Sequence, residues 1–537
     1  MIDRRLAGAA WSDIEALLAG DPAGDVLLKD DLRAYAESRR TTSGGLRMMA
    51  LRDNDGDALL LLGAAGGGAS AGESAGADAD AGAADADPAA DASPGAVPAD
   101  FAGTIRDEGG RRLLIARQDG PNAAALRSLL PELAPVPVGA QRSSFGLGDR
   151  LGLASPGHIP LFRNRDVVPV LAQQSLRELD LMGRSYAEVI DAATWAVFNT
   201  GYAGPWAADG DHLKTPEAVA SAVAQGCTMI TADLSDHLAF EYLDVSPAEA
   251  SEAYKTLDTG WRRSLEDRYD GERRLADGTV LNYDPETRQR IALVYGRALD
   301  HAEELYRAGR SAGGDFDFEV SIDETERPTT PEAHYFVARE LKERKVPFTS
   351  LAPRFVGEFQ KGIDYIGNVD EFAASFAVHA AVAGDLGYKI SVHSSSDKFS
   401  VYPVIGERVQ GAYHVKTSGT NWLVALETLS RADPEFFREL FARAYAVFPT
   451  ARTYYHITPD MDRATDITGL DDQALPEVFT NATDRQVLHV SYGEMFRDAN
   501  LKARYFARLR AFIEAYWAAL EAHIGRHLEL LGARRGS

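Results

Sequence analysis

A short apolar stretch that ends in a cluster of polar side chains is the most informative feature of the sequence. The segment from Tyr388 to Pro403 reads YKISVHSSSDKFSVYP, in which His393, Asp397 and Lys398 follow soon after the apolar residues. Parallel strands of barrel enzymes deliver catalytic groups in this way, because every strand ends at the same mouth of the barrel. Imidazole, carboxylate and amine groups together can bind a metal ion and transfer protons. The segment therefore predicts an active site.

Other apolar runs also end in ionisable or amide residues. The runs TMITADL, DFEVSID, SLAP and AYHVKTS lead into or contain Ser235, Asp236, His237, Glu324, Thr325, Glu326, Arg354, Glu358, Gln360, Lys361, Lys416 and Thr417. If these runs are strands of one barrel, their polar ends converge on one cavity. Taken singly, Asp236 could cap a helix, Lys398 could be a solvated loop charge and Glu319 could pair with a barrel lysine. Convergence of several segments is what predicts the site.

The elements that position these residues alternate between short apolar strands and longer helices beyond about Val138. This alternation is typical of βα units with parallel strands. The predicted strands are VVPVLA from Val167, WAVFNTG from Trp195, TMITADL from Thr228, DFEVSID from Asp317, PFTSLAP from Pro347, YKISVHS from Tyr388 and AYHVKTS from Ala412. The predicted helices include residues 215–225, 285–308, 330–345, 369–386 and 422–430. An α/β fold, a (β/α)8 TIM-like barrel with insertions, accommodates this pattern.

The sequence predicts two domains, a small β-rich module over residues 1–137 and the barrel over residues 138–537. Two hairpin patterns lie in the module, LRMMALRDNDGDALLLLG with its turn at residues 54–56 and FAGTIRDEGGRRLLIARQ with its turn at residues 108–110. Between them, from about residue 63 to 100, the chain is almost purely Ala, Gly, Ser, Pro and Asp. Such a composition predicts a disordered insertion. Residues 501–531 predict one long amphipathic helix that packs on the barrel or on a second copy of the chain.

Composition narrows the function. The formal net charge of -24 argues against a nucleic-acid partner or an anionic membrane, and it requires local Lys and Arg groups to gather an anionic substrate. The one cysteine, Cys227, excludes an internal disulfide framework and cysteine-rich zinc sites, and it is interpreted as a small buried hydrophobic residue. The sequence shows neither a signal-peptide pattern nor a membrane span. These features predict a cytoplasmic protein that acts on a small molecule.

Six blocks of the sequence form a combination that is more specific than any one of them. They are RSSFGLGDRLGLASPGHI (142–159), DLSDHL (233–238), DETERPTTPEAHYFVA (323–338), PRFVGEFQKGIDYIG (353–367), HSSSDKFSVYP (393–403) and HVKTSGTNW (414–422). Together they resemble the tagaturonate epimerase family. In that family Gly is expected where Ser395 stands and Ala where Ser418 stands, small changes that affect loop geometry and keep the polar groups.

The resemblance implies a metal-dependent TIM-barrel enzyme that interconverts tagaturonate and fructuronate, two ketohexuronates that differ at one hydroxyl-bearing carbon. That carbon is β to the ketone, so simple enolisation cannot invert it. The carbon–carbon bond must instead break and re-form by retro-aldol chemistry, or an oxidised intermediate must form with a redox cofactor. Gly146, Gly148 and Gly152 do not have the spacing of a dinucleotide-binding fingerprint. The retro-aldol route is therefore favoured.

With the resemblance, the metal ligands are predicted to be His237, Gln360 and His393, and Gln360 is preferred to Glu358 partly on the family pattern. Nitrogen and oxygen ligands are expected because no thiolate site exists, and Zn, Mn, Ni and Mg are the candidate divalent ions. Ketone polarisation by such an ion is one requirement of the retro-aldol route, and a base for the hydroxyl proton is the other.

Proton transfer is assigned to Asp236 and Glu319, with Glu324 as the competing acid. Burial of Glu319 in a barrel interior predicts a raised pKa for its carboxyl group, which suits acid/base work. The substrate carboxylate and hydroxyls need cationic and amide donors. The candidate donors are Arg354, Lys361, Lys398, Lys416 and Asn421.

Three other functions remain open from the sequence. A barrel glycoside hydrolase would place two carboxylates, such as Glu319 and Glu358, across a sugar bond without a metal. An aldolase would differ from the epimerase only in releasing its cleavage products. A sugar-acid-binding protein on an inactive barrel would show no turnover. A chelator separates the first of these from the epimerase, because only the epimerase needs the metal.

Overall fold

The computed structural model describes residues 2–28, 31–53, 56–64, 96–409 and 411–534. The chain divides into two compact units: unit 1 is Met1–Leu133 with Thr194–Ala203, and unit 2 is Ala134–Ala193 with Gly204–Ser537. Most of the predicted disordered insertion, residues 65–95, lies outside the described residues, and so do Asn54 and Asp55 of the first predicted hairpin turn.

Unit 1 is built on an antiparallel sheet with strand order β1-β2-β3-β5-β4 in the described part of the chain. Its strands, β1 to β5, are Arg33–Thr41, Arg47–Asp53, Gly56–Ala64, Gly103–Glu108 and Arg111–Arg117, and its helices, α1 to α3, are Ile2–Ala7, Trp11–Ala19 and Gly120–Leu129. Both predicted hairpins are present, with β2 paired to β3 and β4 paired to β5. Alternate residues such as Met49 and Leu51 share a buried cluster with Ile14 and Leu17 of α2, as a period of two predicts.

Unit 2 contains a closed barrel of eight parallel strands within the described residues, in the order β12-β13-β14-β15-β6-β7-β8-β9. The strands of the unit, β6 to β15, are Ser144–Leu147, Val168–Ser175, Ala207–Leu213, Met229–Asp233, Gly271–Arg274, Val280–Tyr283, Asp317–Ile322, Ser350–Pro353, Lys389–Val392 and Tyr413–Thr417. Strands β10 and β11 form a separate hairpin, and β9 pairs with β12 to continue the barrel. The predicted α/β TIM-barrel fold is confirmed, and all the barrel strands point their carboxyl ends toward one mouth.

Helices follow the barrel strands. In chain order, α4 to α18 are Ser155–His158, Leu176–Met182, Tyr186–Asn199, Pro216–Ala224, Pro247–Lys255, Thr259–Arg268, Pro285–Ser311, Pro331–Glu343, Val369–Leu386, Tyr402–Arg408, Thr420–Ala432, Pro434–Ala451, Ala482–Met495, Ala499–Ala511 and Ile513–Leu530. The five predicted helices correspond to α7, α10, α11, α12 and α14, with ends that differ by three residues or fewer. Local sequence explains this agreement: the Thr330 side chain caps α11 by accepting from the Ala333 N–H, with Pro331 in the first turn.

Two predictions of elements are wrong. WAVFNTG, predicted as a strand, contributes its first five residues to helix α6. The barrel strand in this part of the chain is β8, which follows α6. The apolar run is part of a helical pattern that begins at Tyr186, whereas β8 reads AADGDHL and lacks the β-branched residues typical of strands. The final segment is two helices, α17 and α18, which are interrupted at Phe512.

A search of the described residues finds no helix that combines the length and the apolar character needed to cross a membrane.

Candidate metal and substrate site

Two adjoining cavities lie at the carboxyl ends of the barrel strands, with volumes of about 550 and 230 Å³. Both are lined by residues from several strands and from the loops that follow them. The residues that line both cavities are Arg177, Glu324, Lys361, His393, Ser394 and Tyr455. These shared walls make the two cavities one continuous site at the place where barrel enzymes carry their chemistry.

His393, which follows β14, lies between two carboxylates, one on β12 and one in the loop that follows β12. Its Nε2 is 2.8 Å from Oε1 of Glu319 on β12, and its Nδ1 is 3.2 Å from Oδ1 of Asp323. The hydrogen bond at Nε2 orients the ring and leaves Nδ1 toward Asp323. Burial alone would lower the pKa of His393, but Asp323 and Glu319 raise it above its ordinary value.

His212, at the end of β8, faces the same place. Its backbone has a φ of 52°, which is uncommon for a residue with a side chain, and the pairing of β8 with β9 shifts register there. In this backbone conformation the centroid of the imidazole ring is 5.0 Å from that of His393, edge to face. Burial would lower the pKa of His212, but the Asp211 and Glu324 carboxylates raise it to about 10.

Donor atoms of two overlapping triplets in the described chain come within 4.8 Å of one another: His212, Asp323 and His393, and His212, Asp233 and Glu324. Within the described residues, three of these donors are buried and make no hydrogen bond, namely Nδ1 of His212, Nδ1 of His393 and Oδ2 of Asp233, although the two imidazole nitrogens lie 3.5 and 3.2 Å from carboxylate oxygens of Asp233 and Asp323. Buried polar atoms are normally satisfied, so this group of unsatisfied atoms needs an explanation. Imidazole nitrogens and carboxylate oxygens suit a divalent ion such as Zn, Mn or Ni. The residues present therefore fit a metal ion.

Lys416, on β15, lies beneath this donor set and is surrounded by carboxylates. Its Nζ is 2.8 Å from Asp209 Oδ2, 2.7 Å from Asp211 Oδ1 and 2.9 Å from Glu319 Oε1, and it also donates to the Thr231 hydroxyl. Burial would lower the pKa of Lys416, but Asp209, Asp211 and Glu319 hold it well above its ordinary value. Lys416 is therefore a buried, charged centre of an ionic network.

Glu319 is fully buried and accepts hydrogen bonds from several donors at once. Ser350 Oγ donates to it at 2.6 Å and Thr231 Oγ1 at 3.1 Å, in addition to His393. Burial would raise the pKa of this carboxyl, but Lys416 and His393 hold it well below the ordinary value. The expectation of a raised pKa for Glu319 is therefore wrong, because burial brings cationic partners along with it.

Besides His393, Lys416 and Gln360, three of the predicted site residues line the cavities around this donor set. Glu324 and Lys361 line both cavities, and Arg354 lines the larger one. The Glu324 side chain is 48% exposed and its Oε1 is 4.0 Å from Nδ1 of His212, so it can reach both the donor set and a bound molecule. Arg354 pairs with Glu358 at 3.3 Å.

The structure does not bring His237 and Asp236 to the cavities. His237 stacks on His301, with ring centroids 3.8 Å apart, and neither His237 nor Asp236 lines either cavity. Asp236 is 65% exposed and pairs with Lys214 at 2.8 Å. Both residues belong to a short 3-10 turn after β9, which directs them away from His393.

Gln360, Lys398 and Asn421 are engaged elsewhere in hydrogen bonds. Gln360 lines the larger cavity, but its Oε1 already accepts from the N–H and hydroxyl of Thr458 and from Nε2 of Gln486, each at 3.0 Å. Lys398 donates to the carbonyls of residues 360, 363 and 396 at 2.6 to 2.9 Å, which braces the loop after β14. Asn421 donates to the Gly148 carbonyl at 2.6 Å and does not line either cavity.

Sequence reasoning missed His212 and Arg177 and assigned no metal role to Asp233 or Asp323. The signal for His212 is DGDHL, where a strand ends in two carboxylates and an imidazole, but the sequence pattern does not identify β8 as a strand. Asp233 and Asp323 begin two of the family blocks, DLSDHL and DETERP. Arg177 follows β7 with no motif around it, so only the fold could bring it to the site.

Comparisons with known proteins point to one family. A family model described as tagaturonate epimerase matches residues 97–531. The chain is 41% identical over 412 residues to the tagaturonate/fructuronate epimerase of Thermotoga maritima, an alignment that covers 76% of this chain and 85% of that protein.

Solved structures match as well. The native and glycerol-complexed crystal structures of the fructuronate-tagaturonate epimerase UxaE from Cohnella laeviribosi superpose with a TM-score of 0.84 at 35% sequence identity. The match covers 97% of this chain and 99% of that protein, so it includes the barrel and the module that precedes it.

Proposed function

This chain belongs to the tagaturonate epimerase family, and we propose that it is an isomerase that interconverts D-tagaturonate and D-fructuronate by metal-dependent retro-aldol chemistry. The relatives named for this reaction support the substrate pair. The inverted carbon is β to the ketone, which favours cleavage and re-formation of the bond between the α and β carbons, carbons 3 and 4, over enolisation.

His212, Asp323 and His393 would hold the divalent ion, with Asp233 beside His212. When bound, such an ion supplies Lewis-acid polarisation of the substrate ketone. Glu319 fixes the His393 ring through the hydrogen bond at Nε2, which leaves Nδ1 free as a ligand atom. Carboxylates behind ligand histidines commonly orient the ring and raise its basicity.

Glu324 is the proton-transfer residue in this proposal. It lines both cavities, it is half-exposed, and it lies beside the donor set, so its carboxylate can reach a hydroxyl of a bound sugar acid. The Glu324 carboxylate takes the proton of the hydroxyl on carbon 4. The bond between carbons 3 and 4 breaks, its electron pair passes to carbon 3, and carbon 4 becomes an aldehyde.

The reverse sequence completes the inversion. The aldehyde turns about its remaining carbon–carbon bond and presents its other face, and carbon 3 adds to that face. The proton held by Glu324 returns to the new oxygen on carbon 4. Atoms and charges balance, since the enzyme gains and loses one proton and the product is an isomer of the substrate.

The observation that carries this proposal is the convergence of unsatisfied buried donors of His212, Asp233 and His393 at the mouth of a barrel of this family. The glycoside hydrolase reading has little support, because Glu319 is sealed beneath the cavities by Lys416 and His393.

Incubation of the metal-reconstituted protein with tagaturonate, followed by NMR of the carbon 4 stereochemistry, tests the proposal. Fructuronate should accumulate toward equilibrium, and both a chelator and the His393→Ala substitution should abolish its formation. Full conversion in the chelated sample would refute the metal requirement. Accumulation of three-carbon products without fructuronate would identify an aldolase instead.

A further inference from the structure

The lysines and arginines that line the two cavities differ in whether a carboxylate already neutralises them. Arg150 pairs with Glu178 at 2.6 Å, Lys214 with Asp236 at 2.8 Å, Arg354 with Glu358 at 3.3 Å, and Lys416 with its three carboxylates. Among the lysines and arginines lining the cavities in the described part of the chain, Lys361 and Arg177 have no carboxylate oxygen within 4.0 Å. Both of them line both cavities.

Neutral contacts hold these two cations in place. Lys361 Nζ donates to the Ser394 hydroxyl at 2.9 Å, next to His393 in the chain. Arg177 donates through one guanidinium nitrogen to the Tyr454 carbonyl at 3.1 Å, and its guanidinium carbon lies 4.7 Å from the Tyr455 ring centroid. Each cation keeps further N–H donors that these contacts do not use, which is the arrangement that recognises a carboxylate.

Charge makes these cations necessary for an anionic substrate. The chain has a net charge of -24, and Asp323, Glu324, Glu326 and Glu358 line the larger cavity. A carboxylate that enters is repelled by most of this wall and is attracted where cations lack partners. Burial lowers the pKa of Lys361, although the Glu324 carboxylate acts in the opposite direction. Because burial disfavours the charged ammonium, an anion bound beside it would stabilise the charged form.

We propose that Lys361 and Arg177 form the subsite for the substrate carboxylate and retain the carboxylate-bearing fragment while its aldehyde turns. This inference rests on the proposed function. Cleavage divides the ketohexuronate into dihydroxyacetone, initially as its enediolate, and 2-hydroxy-3-oxopropanoate, which together contain all the atoms of the substrate. In the second fragment, the carboxylate and the aldehyde are at opposite ends. If the carboxylate stays bound, the aldehyde can rotate while the fragment remains in the site. The two residues then distinguish an epimerase from an aldolase.

Lys361→Met and Arg177→Met test this role, with Lys255→Met as the control. Lys255 is an exposed lysine on α8 that pairs with Glu252 and lines neither cavity. The kcat/KM of each variant is measured with tagaturonate and with tagatose, its neutral counterpart with CH2OH in place of the carboxylate. Free dihydroxyacetone is measured in the same reactions. Calorimetric titration with D-glycerate, a carboxylate that cannot be cleaved, measures binding without turnover.

Loss of a charge-assisted contact predicts that each substitution lowers kcat/KM for tagaturonate by roughly 10- to 100-fold. The kcat/KM for tagatose should change little, dihydroxyacetone should appear, and D-glycerate binding should weaken to a similar extent. Equal loss for both sugars, or unchanged glycerate affinity in both variants, would overturn the assignment. If the wild-type protein binds glycerate through Lys361 and Arg177 but does not convert tagaturonate, the proposed function fails and the anion subsite stands.

Discussion

Nε2 of His393 donates a hydrogen bond of 2.8 Å to Oε1 of Glu319, a carboxylate that is fully buried. The pair fixes which nitrogen of His393 faces the donor set, since Nδ1 then points to Asp323. In the proposed mechanism, Glu319 therefore acts through His393 and does not touch the substrate itself. We expect it to position a metal ligand and to balance the charge of Lys416.

Replacement of Glu319 by Gln separates positioning from proton transfer. Glu319→Gln retains the shape of the side chain but removes the charge, so the orientation and basicity of His393 should suffer. We expect metal affinity to fall by about 10- to 100-fold, as for other carboxylates behind ligand histidines. Competition with a chromogenic chelator measures the affinity. Unchanged metal affinity together with an altered pH–rate profile would show that Glu319 is an acid/base residue after all.

Lys416→Met tests whether Lys416 is part of the ionic network or a substrate contact. The substitution leaves Asp209, Asp211 and Glu319 buried around an apolar side chain, without their common cation. We expect the free energy of unfolding to fall by about 3–5 kcal/mol, the usual cost of removing one partner from a buried ion pair. Urea denaturation at neutral pH measures it. A stable variant with only a raised KM would instead support the sequence-based role in substrate binding.

Glu324→Gln tests the base. The substitution preserves the size of the side chain and its place in both cavity walls, but it cannot accept the hydroxyl proton. We expect kcat to fall by about 10²- to 10⁴-fold, the range found for general acid–base residues, with little change in bound metal. Single-turnover kinetics and elemental analysis give the two quantities. If the variant has the wild-type kcat, Glu324 is not the general base. If the variant loses its bound metal, Glu324 is a metal ligand instead.

We expect a pair of buried histidines away from the site to give the protein a pH-dependent stability. His334 and His379 hydrogen-bond through their Nδ1 atoms at 3.0 Å, and Tyr388 approaches His334 Nε2 at 2.7 Å. Burial lowers the pKa of His334 well below its ordinary value and that of His379 to about 4. The unfolded chain binds protons at these residues near pH 6.5, so their contribution to stability is full above that pH. It is lost progressively as pH falls toward the folded-state pKa values.

His379→Leu should make the stability fall less steeply as the pH decreases. One proton fewer is taken up on unfolding, so between about pH 6 and 5 the slope of stability against pH should fall by about 1.4 kcal/mol per pH unit. Denaturant unfolding of wild type and variant over this range measures the two slopes, and any constant destabilisation by the substitution cancels. Parallel slopes would mean that His379 is protonated in the folded protein.

Much of the barrel could be predicted from the sequence, because buried strands and amphipathic helices have different periodicities. Strand β14 and helix α12 are examples, and α12 has the predicted ends. The prediction failed at β8, whose inward residues are the polar groups Asp209, Asp211 and His212. A strand whose side chains form a site has polar residues in place of the apolar pattern that identifies strands. The polar residues that line the site therefore made β8 difficult to predict from the sequence.

The site was predictable in its location and less so in its contacts. Polar residues after strands predict that His393, Lys361 and Glu324 converge, and all three line both cavities. The burial and the direction of these side chains could not be predicted. The sequence does not show that Lys416 is buried among carboxylates, or that the register shifts between β8 and β9 near His212, which faces His393. Likewise, His237 and His212 each follow acidic residues near a strand end, and only the turn geometry after β9 separates them.

The comparison of His212→Ala with His237→Ala in the conversion of tagaturonate, followed by NMR with equal amounts of added divalent metal, tests the central claim most directly. We predict that His212→Ala forms no measurable fructuronate and does not retain the metal through gel filtration, whereas His237→Ala converts at the wild-type rate. Wild-type conversion by His212→Ala, or loss of both conversion and metal in His237→Ala alone, would contradict a metal site built on His212 and His393.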